Sequence, residues 1–402
     1  MGFYLTNGHL PFSEPCLGRE EWEAVERVFR RNWYTTGPET GEFEREFREY
    51  LGCRCAVALH SATAALHVAL LTLGIGAGDE VMVTPFTFVS TVNTIFEVGA
   101  FPVFVDIDEN DYMPSPEALE ETVRREFEER DGVWYSRSRG GKLKAIMVVH
   151  YAGQPAKLEE IEALAQKYRL AIVEDAAHAV GASIGKRKIG TGQNLTCFSF
   201  YSNKNMTSGE GGMVTCDEIG WEKALRMFSL HGIDKEAYAR LKGSGMPFYD
   251  VKVLGYKYNM TDLQGALGRA QLKKVELFNK KRRELADLYT HYLGEVEELA
   301  VRPLRDGVTS SRHLFVAELL RGDRDELLRE LLHRRIQCSV HFRPVHLFTY
   351  HKERLPYKEG DFPKAEAIFE RILSLPLFPT MEEEDVAYVV ESVKTVLARS
   401  RG

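Results

Sequence analysis

The chain has 402 residues, more than one hydrophobic core usually supports, so two domains are expected. Its 44% hydrophobic and 28% charged content is that of an ordinary soluble globular protein, and a formal charge of -7 gives no electrostatic reason to expect nucleic acid or an anionic membrane as partner. No apolar run reaches the length of a membrane span, and the start, MGFYLTNGHLPF, lacks the basic region and apolar stretch of a signal peptide.

In chain order, short apolar runs alternate with helical patterns up to about residue 260. CAVAL (55–59) leads into TAALHVALLTLGI, DEVMVTP (79–85) into VSTVNTIFEVGA, and FPVFVDID follows. KAIMVVH (144–150) precedes the helical KLEEIEALAQKYR and the run LAIVED (170–175). Near-continuous Val/Ile/Leu runs between helices predict an α/β domain whose mostly parallel central sheet is covered on both faces. GVWYSRSRGGK (132–142) reads as an exposed excursion before the next strand. Farther on, TDLQGALGRAQLKKVELFNKKRRELADLYTHYL (261–293) reads as one long helix, N-capped by Thr261 with Asp262 in its first turn. A strand HLFVAELL, a helix DRDELLRELLHRR, a strand IQCSVHF and a closing helix from Glu382 complete a smaller α+β domain. The expected division is a large domain over 13–258 and a small one over 259–402, opened by the long helix and joined by residues 1–12. The cysteines (Cys16, Cys53, Cys55, Cys197, Cys216, Cys338) form no C-x-x-C pair and are too sparse for a disulfide framework; a reducing cytoplasm fits, and no metal site is expected.

Ligands of open α/β sheets lie beyond the carboxyl ends of the strands, so the residues after each run are candidates for a site. They are HSATAA, FTFVST, DAAH and FSFYSNK. Ser61-Ala62-Thr63 opens a helix, where free N–H groups and the helix dipole suit a phosphate; Ser61 acting only as a cap is the alternative. Asp175 ends a buried run and needs a cationic or hydrogen-bonding partner. His178 and Phe88, each taken alone, read as core residues. Lys204 precedes Gly209, Gly211 and Gly212, the reverse of a P-loop. A phosphate seat, a flat aromatic, a buried acid and a lysine together are what pyridoxal phosphate requires. The lysine forms a Schiff base with its aldehyde, and the acid pairs with its pyridinium nitrogen.

These motifs, with YTTGPETGEFEREFREYLGC, TPFTFVST, EDAAHAVGA, FSFYSNKNMTSGEGGMV, YKYNMTD, HFRPVH and RILSLPLFPTM, run in order along nearly the whole chain. It resembles the DegT/StrS family of pyridoxal-phosphate-dependent nucleotide-sugar aminotransferases, whose fold is that of the aspartate aminotransferase group, fold type I. The resemblance implies Lys204 as Schiff-base lysine and proton shuttle, Asp175 on the pyridine nitrogen, His178 near the phenolic oxygen and Phe88 stacked on the ring. Ala62, Thr63 and Ser199 would hold the phosphate, and Asn259 would reach the cofactor phosphate of a second subunit, which implies a homodimer with shared sites. The usual Ser-Gly-Thr is here Ser61-Ala62-Thr63, which keeps the N–H and is safe unless the position needs positive φ.

By the same resemblance, L-glutamate donates the amine, leaves as 2-oxoglutarate and yields pyridoxamine phosphate, which aminates the keto carbon, C4 above all, of a nucleotide-linked sugar. Thr35 and Thr36 are candidate sugar contacts, with helix capping as the alternative. His341 and Arg343 are candidate contacts too, the arginine suiting a pyrophosphate or a surface ion pair, and His231 lies in a segment that would cross to the partner. Two rivals are a lyase or desulfurase on the same cofactor, which would draw on Cys197 or Cys216, and a non-catalytic paralogue, which would lack the lysine.

Overall fold

The apolar runs pair into one nine-stranded sheet in the computed structural model, which describes residues 8–233 and 249–399. Its strands are β1 (Cys55–Leu59), β2 (Asp79–Val83), β3 (Phe101–Phe104), β4 (Phe127–Arg130), β5 (Val133–Ser136), β6 (Lys142–Val149), β7 (Ala171–Asp175), β8 (Leu195–Ser199) and β9 (Gly212–Cys216). The spatial order is β1-β9-β8-β7-β6-β2-β3, with β5 carrying β4 and pairing to β6. From β8 to β3 all neighbours are parallel, whereas β9 runs antiparallel to both β1 and β8. Strands β1, β8 and β9 are buried along their whole length, which is why β1 reads as the unbroken apolar run CAVAL. This is the α/β fold with a mostly parallel sheet that the sequence predicts.

A second, antiparallel sheet joins Phe315–Leu319 to Leu299–Ala300 and Ile372–Leu375. Helices Val275–Leu293 and Glu383–Arg399 supply Leu285, Tyr289, Val389 and Val393 to its core, to which Leu10 also belongs. Leu10 bridges Ile336; residues 1–7 of the expected joining segment lie outside the described residues. Among the described residues no helix is long and apolar enough to cross a membrane.

Three local readings change. The stretch expected to be an exposed excursion belongs to the hairpin β4–β5, turned by Asp131 and Gly132 at φ 51° and 77°. An Asp-Gly pair between strand-like runs is itself a hairpin signal, and Trp134 of β5 packs against Tyr168 at 5.0 Å. The single long helix is two, Asp262–Leu272 and Val275–Leu293. At the break the Gln271 amide donates to the Cys16 carbonyl and Lys274 pairs with Glu21 at 2.6 Å, tertiary contacts that periodicity cannot register. The expected strand IQCSVHF makes only isolated bridges, Ile336 to Leu10 and Ser339 to Ser374.

Candidate active site

Strands β2, β6, β7 and β8 are parallel neighbours, and β1, antiparallel to β9 as β8 is, shares their direction, so their carboxyl ends fall along one edge. Ser61, Thr87, His150, Asp175 and Ser199 at or just after those ends line a cavity of about 340 Å³, together with Ala62, Thr63, Phe88, His178, Lys204, Gly211, His313, His341 and Phe342. The sheet thus gathers eight of the residues picked out from the sequence: Ala62, Thr63, Phe88, Asp175, His178, Ser199, Lys204 and His341.

At the end of β1 the chain turns directly into a helix. Ser61 caps the helix Ala62–Thr72 by accepting from the Ala64 N–H at 3.1 Å. That cap leaves the N–H groups of Ala62 and Thr63, the first two of the helix, without an intrahelical partner. The capping reading of Ser61 therefore holds, and Ala62 and Thr63 line the cavity beside it. Ala62 is an ordinary helical residue without positive φ, so alanine serves there as well as glycine. The glycine that this turn needs comes instead from β9. A Cβ on Gly212 would lie 2.3 Å from the Ser61 carbonyl oxygen and 2.7 Å from the Ala62 nitrogen, so only glycine lets that strand run against the seat.

Asp175 ends β7 and is buried. Its Oδ2 accepts from the Thr91 hydroxyl at 2.7 Å and its Oδ1 from the Ala177 N–H at 3.1 Å. Burial pushes its carboxyl above the usual range, and those two bonds, followed by the Lys204 charge, pull it partly back. Glu174, the neighbouring acid, does not line the cavity. Its carboxylate is held by His150 Nε2 and by the Asn194 amide, each at 2.8 Å, and stays below the usual range despite complete burial. Since the His150 Nδ1 accepts from the Ala156 N–H, its proton sits on Nε2, facing Glu174.

Lys204 follows β8. It keeps some exposed surface because it opens on the cavity, yet protein encloses it deeply enough that burial lowers its amine to about 8, the attraction of Asp175 offsetting only part. Burial, then the charge of Lys204, also keeps His178 neutral, far below the usual histidine range. His313, the first residue of HLFVAELL, lies against His178 with ring centroids 4.3 Å apart and planes tilted by 39°, and is likewise held neutral by burial. The Nδ1 atoms of both rings are buried without a hydrogen-bond partner among the described residues. A cavity lined by two imidazoles with unpartnered Nδ1 atoms, a buried carboxylate and a depressed amine suits a polar aromatic guest. With a helix-start anion seat and Phe88 at the rim, 57% exposed, the donor set fits pyridoxal phosphate.

The other candidates lie outside this cavity. Thr35 is exposed, and Thr36 donates to the Met260 carbonyl at 2.5 Å while accepting from the Asn259 amide at 2.6 Å. Neither threonine caps the helix Pro38–Leu51; Asp262 does, its carboxylate accepting from the N–H groups of Glu39 and Thr40. Asn259 also accepts from Lys257. His231 is exposed with φ 54°, and Arg343 lies over the Phe348 ring. His341 is inside, its Nδ1 2.9 Å from the Ser374 hydroxyl, and burial brings it down to about 4. Cys197 and Cys216 do not line the cavity, and burial holds the Cys197 thiol far above its usual range.

Comparison with known proteins gives a consistent result. The model of the DegT/DnrJ/EryC1/StrS aminotransferase family matches residues 15–394. The spore coat polysaccharide biosynthesis protein SpsC of Bacillus subtilis is 40% identical over 396 residues, 97% of this chain and 98% of that one. Among solved structures, a candidate sugar aminotransferase of Streptococcus pneumoniae in its pyridoxamine phosphate form superposes with a TM-score of 0.88 at 31% identity, covering 97% of this chain and 99% of that one. The Helicobacter pylori aminotransferase PseC, involved in pseudoaminic acid biosynthesis, gives 0.86 at 28% identity, with 96% and 99% covered.

Proposed function

Since the chain belongs to the DegT/DnrJ/EryC1/StrS aminotransferase family, which uses pyridoxal phosphate, we propose that it moves an amino group from L-glutamate to a keto carbon, C4, of a nucleotide-linked keto-deoxy sugar. The amino sugar so made would serve cell-surface polysaccharide, lipopolysaccharide or glycoside synthesis, in keeping with the roles of SpsC and PseC. The observation that carries this reading is Lys204. It is a buried amine brought down to about 8, opening on a cavity that also holds Asp175.

When bound, pyridoxal phosphate supplies an aldehyde that takes up amines and a ring that accepts the electron pair left by a departing proton. The chain's residues do the rest. The N–H groups of Ala62 and Thr63, with the Ser199 hydroxyl, bind the phosphate. Asp175 holds a proton at the ring nitrogen, and Phe88 presents an aromatic face. His178, being neutral, offers one ring N–H or one lone pair without adding charge. With its amine near 8, Lys204 is partly unprotonated at neutral pH, so it can both attack a carbonyl and carry a proton between cofactor and substrate carbons.

Asn259, Thr35 and His231 lie outside the cavity of their own chain, and Phe88 and Tyr201 at its edge are 57% and 46% exposed. A homodimer in which each copy completes the other's site accounts for both facts. The absorption spectrum of wild type and Lys204→Ala, before and after L-glutamate, tests the reading. Collapse of a visible band on glutamate addition in wild type alone is the expected result. Mass spectrometry after adding nucleotide-linked 4-keto and 3-keto sugars then identifies the acceptor. A cofactor-loaded protein with no response to glutamate would overturn the donor assignment, and wild-type turnover in Lys204→Ala would overturn the site.

A further inference from the structure

Asp175 rests on a pair of hydroxyls that no motif in the sequence announces. Thr91 Oγ1 lies 2.7 Å from Asp175 Oδ2 and 2.8 Å from Thr87 Oγ1. Both threonines are buried, at 0% and 2% exposure. A hydroxyl has one proton to donate, and an ionised carboxylate only accepts. With Asp175 ionised, Thr91 therefore donates to Asp175 and must accept from Thr87, which gives the relay a single direction. The Thr91–Asp175 distance is in the range of charge-assisted O–H···O⁻ bonds.

The local fold explains why Thr91 is available. The helix Val89–Glu97 starts after Phe88, whose side chain cannot cap it. Thr91 stands in its first turn, and its hydroxyl turns to β7 instead of to its own helix. The carboxylate thereby sits against the positive end of a helix dipole, which also favours the charged form. The other groups around Asp175 are accounted for. Ala177 N–H takes Oδ1, Lys204 acts through its charge, Cys197 stands opposite it on β8, and Glu174 is engaged by His150 and Asn194.

We propose that Thr91, backed by Thr87, is a positioning residue that keeps the Asp175 carboxylate ionised and aimed at the ring nitrogen of the cofactor. The inference rests on the role given to Asp175 in the proposed function. It extends to the cofactor's ring chemistry: with the relay in place the chain selects the nitrogen-protonated heterocycle over a ring of the same shape without that nitrogen.

The test is calorimetric binding of pyridoxamine phosphate, and of its analogue with CH in place of the ring nitrogen, to the cofactor-free protein. Thr91→Val keeps the side-chain shape and removes the donor. It should bind pyridoxamine phosphate roughly 10- to 100-fold more weakly, the range for a hydrogen bond to a charged group, while affinity for the analogue stays within about threefold. Thr91→Ser restores the donor and should return the preference for the nitrogen ring; Thr87→Val should lose less than Thr91→Val. Equal loss of both ligands in Thr91→Val would show a packing role and overturn the proposal, as would wild-type affinity for both. Asp175→Asn separates the two levels of the argument. If it still prefers the nitrogen ring, the role of Asp175 itself fails and the relay with it. If it loses the preference while Thr91→Val keeps it, only the relay fails.

Discussion

An amine that titrates at about 8 inside the fold, against 10.5 free in water, makes Lys204 a local burden on stability as well as a nucleophile. Between those two values the unfolded chain holds a proton that the folded one does not, so stability rises with pH across that window and the deficit is complete below it. Lys204→Met should therefore stabilise the cofactor-free protein at pH 7 by up to about 3 kcal/mol. The gain should shrink toward zero above pH 10, as read from urea midpoints at the two pH values. An equal gain at both would show that ionisation is not its source. Asp175→Asn removes the charge opposite the ring nitrogen and should slow turnover by at least about 100-fold, checked by single-turnover kinetics with L-glutamate. Glu174 offers no substitute acid, because His150 and Asn194 hold it out of the cavity. At this scale Lys204, Asp175, His178 and Phe88 were legible because each follows an apolar run that becomes a parallel strand. His313 and Thr91 were not: their partners His178 and Asp175 are remote in sequence, and a histidine opening HLFVAELL or a threonine in VSTVNT looks like any other.

Among the elements, the start of β9 and the cap of the helix Pro38–Leu51 depend most on single residues. The Gly212 Cβ position is blocked by backbone, the Ser61 carbonyl at 2.3 Å, which cannot swing aside as a side chain could. Gly212→Ala should push the seat away from β9, at a stability cost of about 1–3 kcal/mol. Cofactor affinity should fall by roughly tenfold or more as the two N–H groups lose alignment. Equilibrium dialysis against pyridoxamine phosphate, with a thermal melt alongside, checks both. Asp262→Ala strips the first turn of Pro38–Leu51 of its only side-chain acceptor among the described residues, one that also takes the Thr40 hydroxyl at 2.9 Å. A loss of about 2 kcal/mol in chemical denaturation is expected, more than for an exposed cap because the carboxylate is buried. Strands β1, β2, β3, β6 and β7 were readable from period and composition, whereas the hairpin β4–β5 was not and IQCSVHF was read as a strand it does not form. The break at Lys273 and Lys274 was not readable either, because it is imposed by partners near the N-terminus.

Across the whole molecule, a buried amide in the lysine loop ties it to distant segments of the chain. The Asn205 side-chain amide donates to Asn279 Oδ1 at 2.7 Å and to the Ser311 carbonyl at 2.8 Å, and the Ser311 hydroxyl donates to the His178 carbonyl at 2.6 Å. Three segments far apart in sequence thus meet directly behind Lys204. Asn205→Ala should lower stability by about 2–3 kcal/mol and raise KM and lower kcat together, since it loosens the loop without touching the cavity. Unaltered kinetics in a destabilised variant would show that the stitch serves the fold alone. The proposed shared site is tested by mixing Lys204→Ala chains with Asn259→Ala chains. Recovery of about a quarter of wild-type activity in the mixture is expected if one of the two sites in each mixed dimer is intact and half the dimers are mixed. No recovery beyond the separate variants would count against sharing.

By itself the sequence determined the α/β class, the strands that end at the cavity, the cofactor and the family, because periodic burial and strand-end chemistry are written in consecutive residues. Only the tertiary structure decided that Asp262 caps another helix, that Gly212 makes room for the seat, and that Thr91 and His313 stand beside Asp175 and His178. Each of these depends on contacts between segments scores of residues apart. Spacing along one segment carries no signal of what will pack against it.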